Sequence, residues 1–431
     1  MKIVVQPVYE RESFSEESKQ DFFDRKKFAD NLGRLFSKTN SGLVISINAK
    51  WGDGKTAFVR QWIDRLKDDE VLIPIYYDAF KNDFTSDAFL SIAAAIQKNL
   101  PASILKRKGG SLYEGLVAST VTVAQDLIKI GAGVAVTNLT AGLVNGRDVV
   151  EKIGETVGSA LSETVTYKAK ERLQAHLQME DDIAHYRSAL SRLLDQNKGG
   201  RKIIFFIDEL DRCRPDFSMQ VIERVKHLFS VDSVIFVLVI NKDQLVRSVM
   251  HAYGVSSDEA NTYLQKFIHL ETELPSISQS VVGSTANYID SLIAHHEFSH
   301  NILGYNKDAF IELLGHKYLS MNPRSIERSF VLAAAALMTL EDEDEEEWKV
   351  LLLFFCAAIK VGRPSLYNKI KNGTVHVGVS TVADADEKFG QLIDKAFGEH
   401  RQKNYSNTVY FKDLPEICSR VDMFYRAEIE G

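Results

Sequence analysis

Residues 49–56 read AKWGDGKT. They sit one substitution away from G-x-x-x-x-G-K-[ST], a pattern whose glycine-containing loop closes backbone N–H groups on phosphate oxygens. Ala49 stands where the pattern has its first glycine; its methyl falls where the chain leaves a strand and removes no donor. In this register Gly52 and Gly54 let the backbone approach phosphate, Lys55 reaches the β- and γ-phosphates, and the Thr56 hydroxyl is an Mg2+ ligand. The candidate binding segment runs from Ala49 through Lys50, Trp51 and Asp53 to Ala57. Taken alone, the same letters also describe a lysine-bearing surface turn.

A second run, KIIFFIDELDRCRPD at 202–216, supplies carboxylates. Asp208 would hold the metal, directly or through a water. Glu209 would orient and polarise an attacking water as general base. Neighbours on a strand point to opposite faces, so both can serve one site only if the strand ends at Glu209. A third run, SVIFVLVIN at 233–241, ends in Asn241, a polar residue placed to contact a γ-phosphate or the lytic water. The letters that follow miss the guanine-reading N-K-x-D pattern, because Gln244 stands where Asp is required. Adenine is favoured over guanine.

The elements that must position these residues are legible around them. LVISIN at 43–48 is a short apolar, β-branched run that reads as a buried parallel strand. After the loop, Phe58, Val59, Trp62, Ile63 and Leu66 fall on one helical face between Lys55 and Leu66. VLIPIYY at 71–77 and the two runs ending in Asp208 and Asn241 add three more strands. In an open parallel sheet, ligands bind beyond the carboxyl ends of the strands, and every candidate group lies at such an end. The bulk composition agrees with a globular chain: 45% apolar and 26% charged residues over 431 positions bound roughly two to three domains. The net charge of −7 gives no basic footprint for nucleic acid. Three dispersed cysteines, Cys213, Cys356 and Cys418, form neither a disulfide framework nor a metal knuckle, which suits a reducing cytoplasm. The N-terminus lacks a secretory apolar region.

Several further stretches narrow the reading: FDRKKFADNL (23–32), YYDAFKND (76–83), DELDRC (208–213), YLQKFIHLETELP (263–275) and NPRSIERSF (322–330). Together they resemble the KAP family of P-loop NTPases, relatives of the AAA+ and STAND ATPases, over about residues 20–335. The resemblance implies an α/β fold: a P-loop NTPase with a parallel central sheet of the additional-strand, catalytic-glutamate type, followed by a C-terminal helical domain. It implies ATP and Mg2+ as cofactors, and hydrolysis that drives a conformational change facing a partner effector protein. It also implies a homo-oligomer and, for bacterial members, anti-phage defence. Arg324 in N-P-R-S is then the arginine that senses γ-phosphate. Pro323 begins a helix well, which fixes Arg324 near its start, although Arg324 and Glu327 at i+3 also make an ordinary surface pair. Arg212, Arg214 and Lys266 would act in trans or as salt-bridge partners. A nucleotide-binding scaffold with little hydrolysis is the alternative function.

The expected organisation is an NTPase core in two parts, 1–100 and 201–275, a mainly helical insert at 101–200, and a helical lid with a C-terminal domain at 276–431. Family members often carry transmembrane helices in that insert. Here its most apolar part, IGAGVAVTNLTAGLV at 130–144, is short for a span needing about 20 residues. Helix packing through small residues, or a helical hairpin contacting partners, is expected there, with peripheral membrane contact left open. ILKRKGGS at 104–111 reads as a loop or mobile boundary, EDEDEEE at 341–347 as a solvated turn or helix start, and VLLLFFCAAI at 350–359 as a buried helix. One competing motif remains. His296-Glu297-Phe298-Ser299-His300 is a formal H-E-x-x-H, which on a helix would aim two imidazoles at Zn2+ with Glu297 as base. His316 or Glu327 would be the third ligand, and neither fits a strong local signature.

Overall fold

The computed structural model describes Phe23 and residues 25–39, 41–69, 71–85, 87–101, 112–126, 178–194, 201–229, 231–275, 282–299, 302–304, 307–314, 319–338, 347–372, 417–418 and 421–422. The chain divides into two compact units, one of residues 33–48 and 66–272, the other of residues 1–32, 49–65 and 273–431. The phosphate-loop segment and the helix after it thus group with the C-terminal helices.

The first unit is built on a five-stranded sheet in the order β2-β3-β4-β1-β5. Its strands are β1 (Leu43–Asn48), β2 (Leu72–Asp78), β3 (Lys202–Asp208), β4 (Val234–Ile240) and β5 (Leu270–Glu273). The β2–β3, β3–β4 and β4–β1 pairs are parallel. An additional strand, β4, therefore separates the strand that enters the loop from the strand that ends in Asp208, as the catalytic-glutamate class requires. Register aligns the carboxyl ends: Asp78 lies opposite Asp208, Asp208 opposite Val239, and Asn48 opposite Ile240. Every residue of β3 and β4 is buried, which explains their continuous apolar runs, since parallel strands are covered on both faces.

On one face of this sheet Ile75, Tyr77, Phe205, Ile207, Phe236 and Leu238 enter the unit's core. Phe89, Tyr186 and Phe229 extend that core, with ring centroids 5.3–5.7 Å apart. Residues 112–126 and 178–194 of the expected insert are helical and add Leu116, Val123, Tyr186 and Leu190 to the same core. The segments 104–111 and 130–144 lie outside the described residues, as do 341–346 of the acidic run.

The second unit contains the helices Lys55–Arg65, Val282–His295, Lys307–Leu314, Pro323–Leu337, Glu347–Gly362 and Pro364–Lys371. Its core is aromatic: Phe330 and Phe354 pack against each other and each against Phe298 and Phe310, with ring centroids 5.2–6.3 Å apart. The expected buried helix at 350–359 lies within Glu347–Gly362, and Leu351 through Ile359 are buried. No helix among the described residues is long and apolar enough to cross a membrane.

The expectation that the H-E-x-x-H motif lies on a helix is corrected by a helix end. The Val282–His295 helix stops one residue before the motif. Glu297 is left-handed at φ 58, and the Phe298 N–H reaches back to the Ile293 carbonyl at 3.0 Å. These are features of a helix terminus, not of a continuing helix. His296 is 1% exposed, with its ring stacked 5.4 Å from Phe298. His300 and His316 lie outside the described residues. Among the described residues no group of three or more His, Cys, Asp or Glu could hold a metal ion.

Candidate functional site

Within the helical unit, the loop carries two left-handed glycines, Gly52 at φ 93 and Gly54 at φ 80, conformations that side chains with a Cβ resist. Gly52 is further constrained by a close approach, since a Cβ there would meet the Asn322 side chain at 2.8 Å. Lys55 opens the next helix and is buried. Its Nζ donates to the carbonyls of Ala49 and Lys50 at 3.0 and 3.4 Å, folding the lysine back over the loop. Asp53 accepts the Lys50 N–H at 2.9 Å. Burial holds the Asp53 carboxyl above its usual value; that bond and the charges of Arg25 and Lys55 oppose the shift.

Four successive loop carbonyls are held from outside the loop. Asn322 caps the Pro323–Leu337 helix through Oδ1, which accepts the Ser325 N–H at 2.9 Å, while its Nδ2 donates to the Trp51 carbonyl at 2.9 Å. The Arg324 backbone N–H donates to the Gly52 carbonyl at 3.1 Å. Arg25, only 6% exposed, donates from Nη2 to the Asp53 carbonyl at 2.6 Å and from Nη1 to the Gly54 carbonyl at 3.4 Å. Its Nε reaches the Pro275 carbonyl at 3.2 Å, and its guanidinium lies 4.9 Å from the Phe23 ring centroid. The Arg324 side chain itself is exposed. Its expected alternative partner, Glu327, accepts the Tyr288 hydroxyl at 2.9 Å instead.

Within the sheet unit, Asp208 is fully buried at the end of β3. The Tyr76 hydroxyl donates to its Oδ2 at 3.1 Å, and the Glu209 N–H to its Oδ1 at 2.9 Å. Tyr76 is on the same face because β2 and β3 are in parallel register, with Asp78 opposite Asp208. Glu209 then leaves the strand in a left-handed conformation, φ 61 and ψ 20, and caps the short Leu210–Arg212 turn. The strand therefore ends at Asp208, the condition the sequence reading set for both carboxylates to serve one site. The Glu209 carboxylate pairs with Arg212 Nε. Arg214 grips Asp83 through Nε at 3.0 Å and its own backbone N–H at 2.9 Å. Both arginines are thus ion-paired within the chain, while Lys266 lies 5.7 Å from the Tyr263 ring centroid. Asn241 is buried at the start of the Lys242–Tyr253 helix. The next N–H, of Lys242, is held by Asn48 Oδ1 at 2.9 Å.

A profile of the KAP family P-loop domain matches residues 25–334, well over half of the chain. The chain belongs to the KAP family of P-loop NTPases. The match runs from Arg25 into the helix that carries Arg324, so the KAP domain takes in the residues that hold the loop carbonyls, and nucleotide binding is supported by the membership. No curated protein matches the sequence significantly. Among solved structures the KAP chain is similar to the Aeropyrum pernix ORC2 protein in its ADPNP–ADP complexes, at 11% identity over 96% of this chain and 98% of that one, with a TM-score of 0.37. It is also similar to Drosophila ORC bound to DNA, at 10% identity over 93% of this chain and 85% of that one, TM-score 0.40.

Sequence reasoning gave no role to Arg25 and Asn322 in the helical unit or to Tyr76 in the sheet unit. Asn322 carried a local signal, a good N-cap residue directly before a first-turn proline. Arg25 and Tyr76 lie in two of the stretches that carry the KAP resemblance, but nothing in those stretches pointed to these contacts, because the partners are 28 and 132 residues away in the chain.

Proposed function

We propose that this KAP protein is an Mg–ATP hydrolase that works as a conformational switch. The observation that carries the reading is the left-handed turn at Glu209 immediately after a buried, hydrogen-bonded Asp208. The turn frees adjacent carboxylates from opposite strand faces, so one can hold a metal while the other orients water. Lys55, now on its own loop carbonyls, would exchange them for β- and γ-phosphate oxygens. Thr56 and Asp208 would hold Mg2+, consistent with a cation that takes one or two carboxylates and otherwise phosphate and water oxygens. When bound, the metal neutralises charge on the phosphates. Asn241 would contact the γ-phosphate or the water. Arg324, an exposed arginine at a helix start tied to the loop, would sense the γ-phosphate.

Adenine is preferred because Gln244 breaks the guanine-reading pattern. The output of the switch is movement of the helical part against a partner effector, in a cytoplasmic homo-oligomer that could touch a membrane peripherally. The KAP resemblance makes anti-phage defence the setting we favour. A second reading, a nucleotide-binding scaffold with little hydrolysis, is favoured by the Arg212–Glu209 ion pair, which engages the proposed base. Turnover of the purified full chain at saturating Mg–ATP separates the two readings. The switch requires measurable hydrolysis and loss of nucleotide binding in Lys55→Ala; a folded Lys55→Ala protein that binds ATP like the wild type overturns both.

A further inference from the structure

The grip on four successive loop carbonyls has a consequence fixed by peptide geometry. In a trans peptide the carbonyl of one residue and the N–H of the next point in opposite directions. Fixing the carbonyls of Trp51, Gly52, Asp53 and Gly54 therefore also fixes the directions of the N–H groups of Gly52, Asp53, Gly54 and Lys55, each opposite to its own peptide's carbonyl. Those are successive donors of the kind that form an anion-binding nest. One of them, Asp53 N–H, closes a turn on the Lys50 carbonyl at 3.3 Å. Resting on the nucleotide-site reading above, we propose that Arg25 and Asn322 are positioning residues that preset this nest for the polyphosphate of a nucleotide.

Arg25 has the larger part. It holds two adjacent carbonyls from a buried position, and a guanidinium's forked, planar donors suit that geometry. Its charge lies on the carbonyl side of the peptides, so it polarises them toward the donor side and adds a second cation to Lys55. Through Nε it also reaches Pro275, just past β5 at the entry to the C-terminal helices. Asn322 and the Arg324 N–H hold the first half of the loop from the Pro323–Leu337 helix. Both grips thus come from segments that flank the loop in space and lie far from it in sequence.

The test is calorimetric titration of ADP and AMP into the wild type, Arg25→Ala, Arg25→Lys, Asn322→Ser and Lys55→Ala. Serine caps a helix about as well as asparagine but has no amide to reach Trp51. Each of Arg25→Ala and Asn322→Ser is expected to weaken ADP about tenfold or more, the usual worth of hydrogen bonds involving a charged or buried group. The ADP-to-AMP affinity ratio should fall as well, since AMP lacks the β-phosphate and a merely structural defect would lower both ligands together. Arg25→Lys should lie between, because an ammonium lacks the fork. If Arg25→Ala does not fold, Asn322→Ser decides. Wild-type ADP affinity, or an unchanged ADP-to-AMP ratio, in the folded variants while Lys55→Ala loses binding overturns the brace alone. Wild-type affinity in Lys55→Ala overturns the nucleotide site itself.

Discussion

The backbone N–H of Arg324 donates to the carbonyl of Gly52 at 3.1 Å, so the helix carrying the proposed sensor is fastened to the phosphate loop by its main chain. The side chain plays no part in that bond. Removing the guanidinium should therefore leave the attachment intact and delete only its charge.

Arg324→Ala is accordingly expected to keep ADP affinity within a few-fold of the wild type and to lose turnover, toward the ~10³-fold that a transition-state arginine contributes. Steady-state kinetics beside ADP titration checks it. Equal losses in both would make Arg324 a binding or structural residue, and unchanged turnover an ordinary surface one; either outcome contradicts the sensor role.

Tyr76→Phe removes one hydrogen bond from the Asp208 carboxylate and leaves the ring in place. A net bond of about 1 kcal/mol corresponds to roughly fivefold in affinity. The Mg2+ concentration for half-maximal turnover should rise by about that factor, with kcat at saturating Mg2+ retained. A magnesium titration identical to the wild type would remove Tyr76 from the site.

Sequence and structure agree where local pattern and burial coincide. The strand at 43–48 has the bounds its apolar run suggests, the 350–359 run is a buried helix, and Pro323 starts its helix. Agreement fails where a contact joins distant segments. Arg25 sits in a charged stretch that carries the family resemblance but no local sign of its contacts, and its acceptors are carbonyls of Asp53, Gly54 and Pro275. The H-E-x-x-H spacing suggests a helix for the opposite reason: it matches locally, but the helix has already ended at His295. Glu209 is intermediate. The need for a turn there followed from strand geometry, whereas its left-handed backbone could not be read from a glutamate, a residue that seldom adopts it.

Glu327 gives a pH-dependent prediction. Burial raises its carboxyl above the usual 4.5, against the opposing effects of the Tyr288 hydroxyl and the nearby Arg324 charge. The folded state thus holds this proton more tightly than the unfolded state, so stability falls as pH rises from 4.5 through the raised folded value. Glu327→Gln keeps an acceptor for Tyr288 without the charge. Denaturant melts should show the variant more stable than the wild type above that window, with the difference shrinking below it. A variant less stable near neutral pH contradicts this account.

The most direct measurement is Mg–ATP binding and turnover in Glu209→Gln set beside Asp208→Asn. The amide of Glu209→Gln preserves shape and loses the base, so binding should match the wild type while hydrolysis falls about 10²–10⁴-fold. Asp208→Asn removes charge beside the metal and should weaken Mg2+-dependent binding itself. If Glu209→Gln hydrolyses ATP at the wild-type rate, or the two variants behave alike, Glu209 is a structural strand-end residue and the proposed division of labour between the carboxylates is wrong.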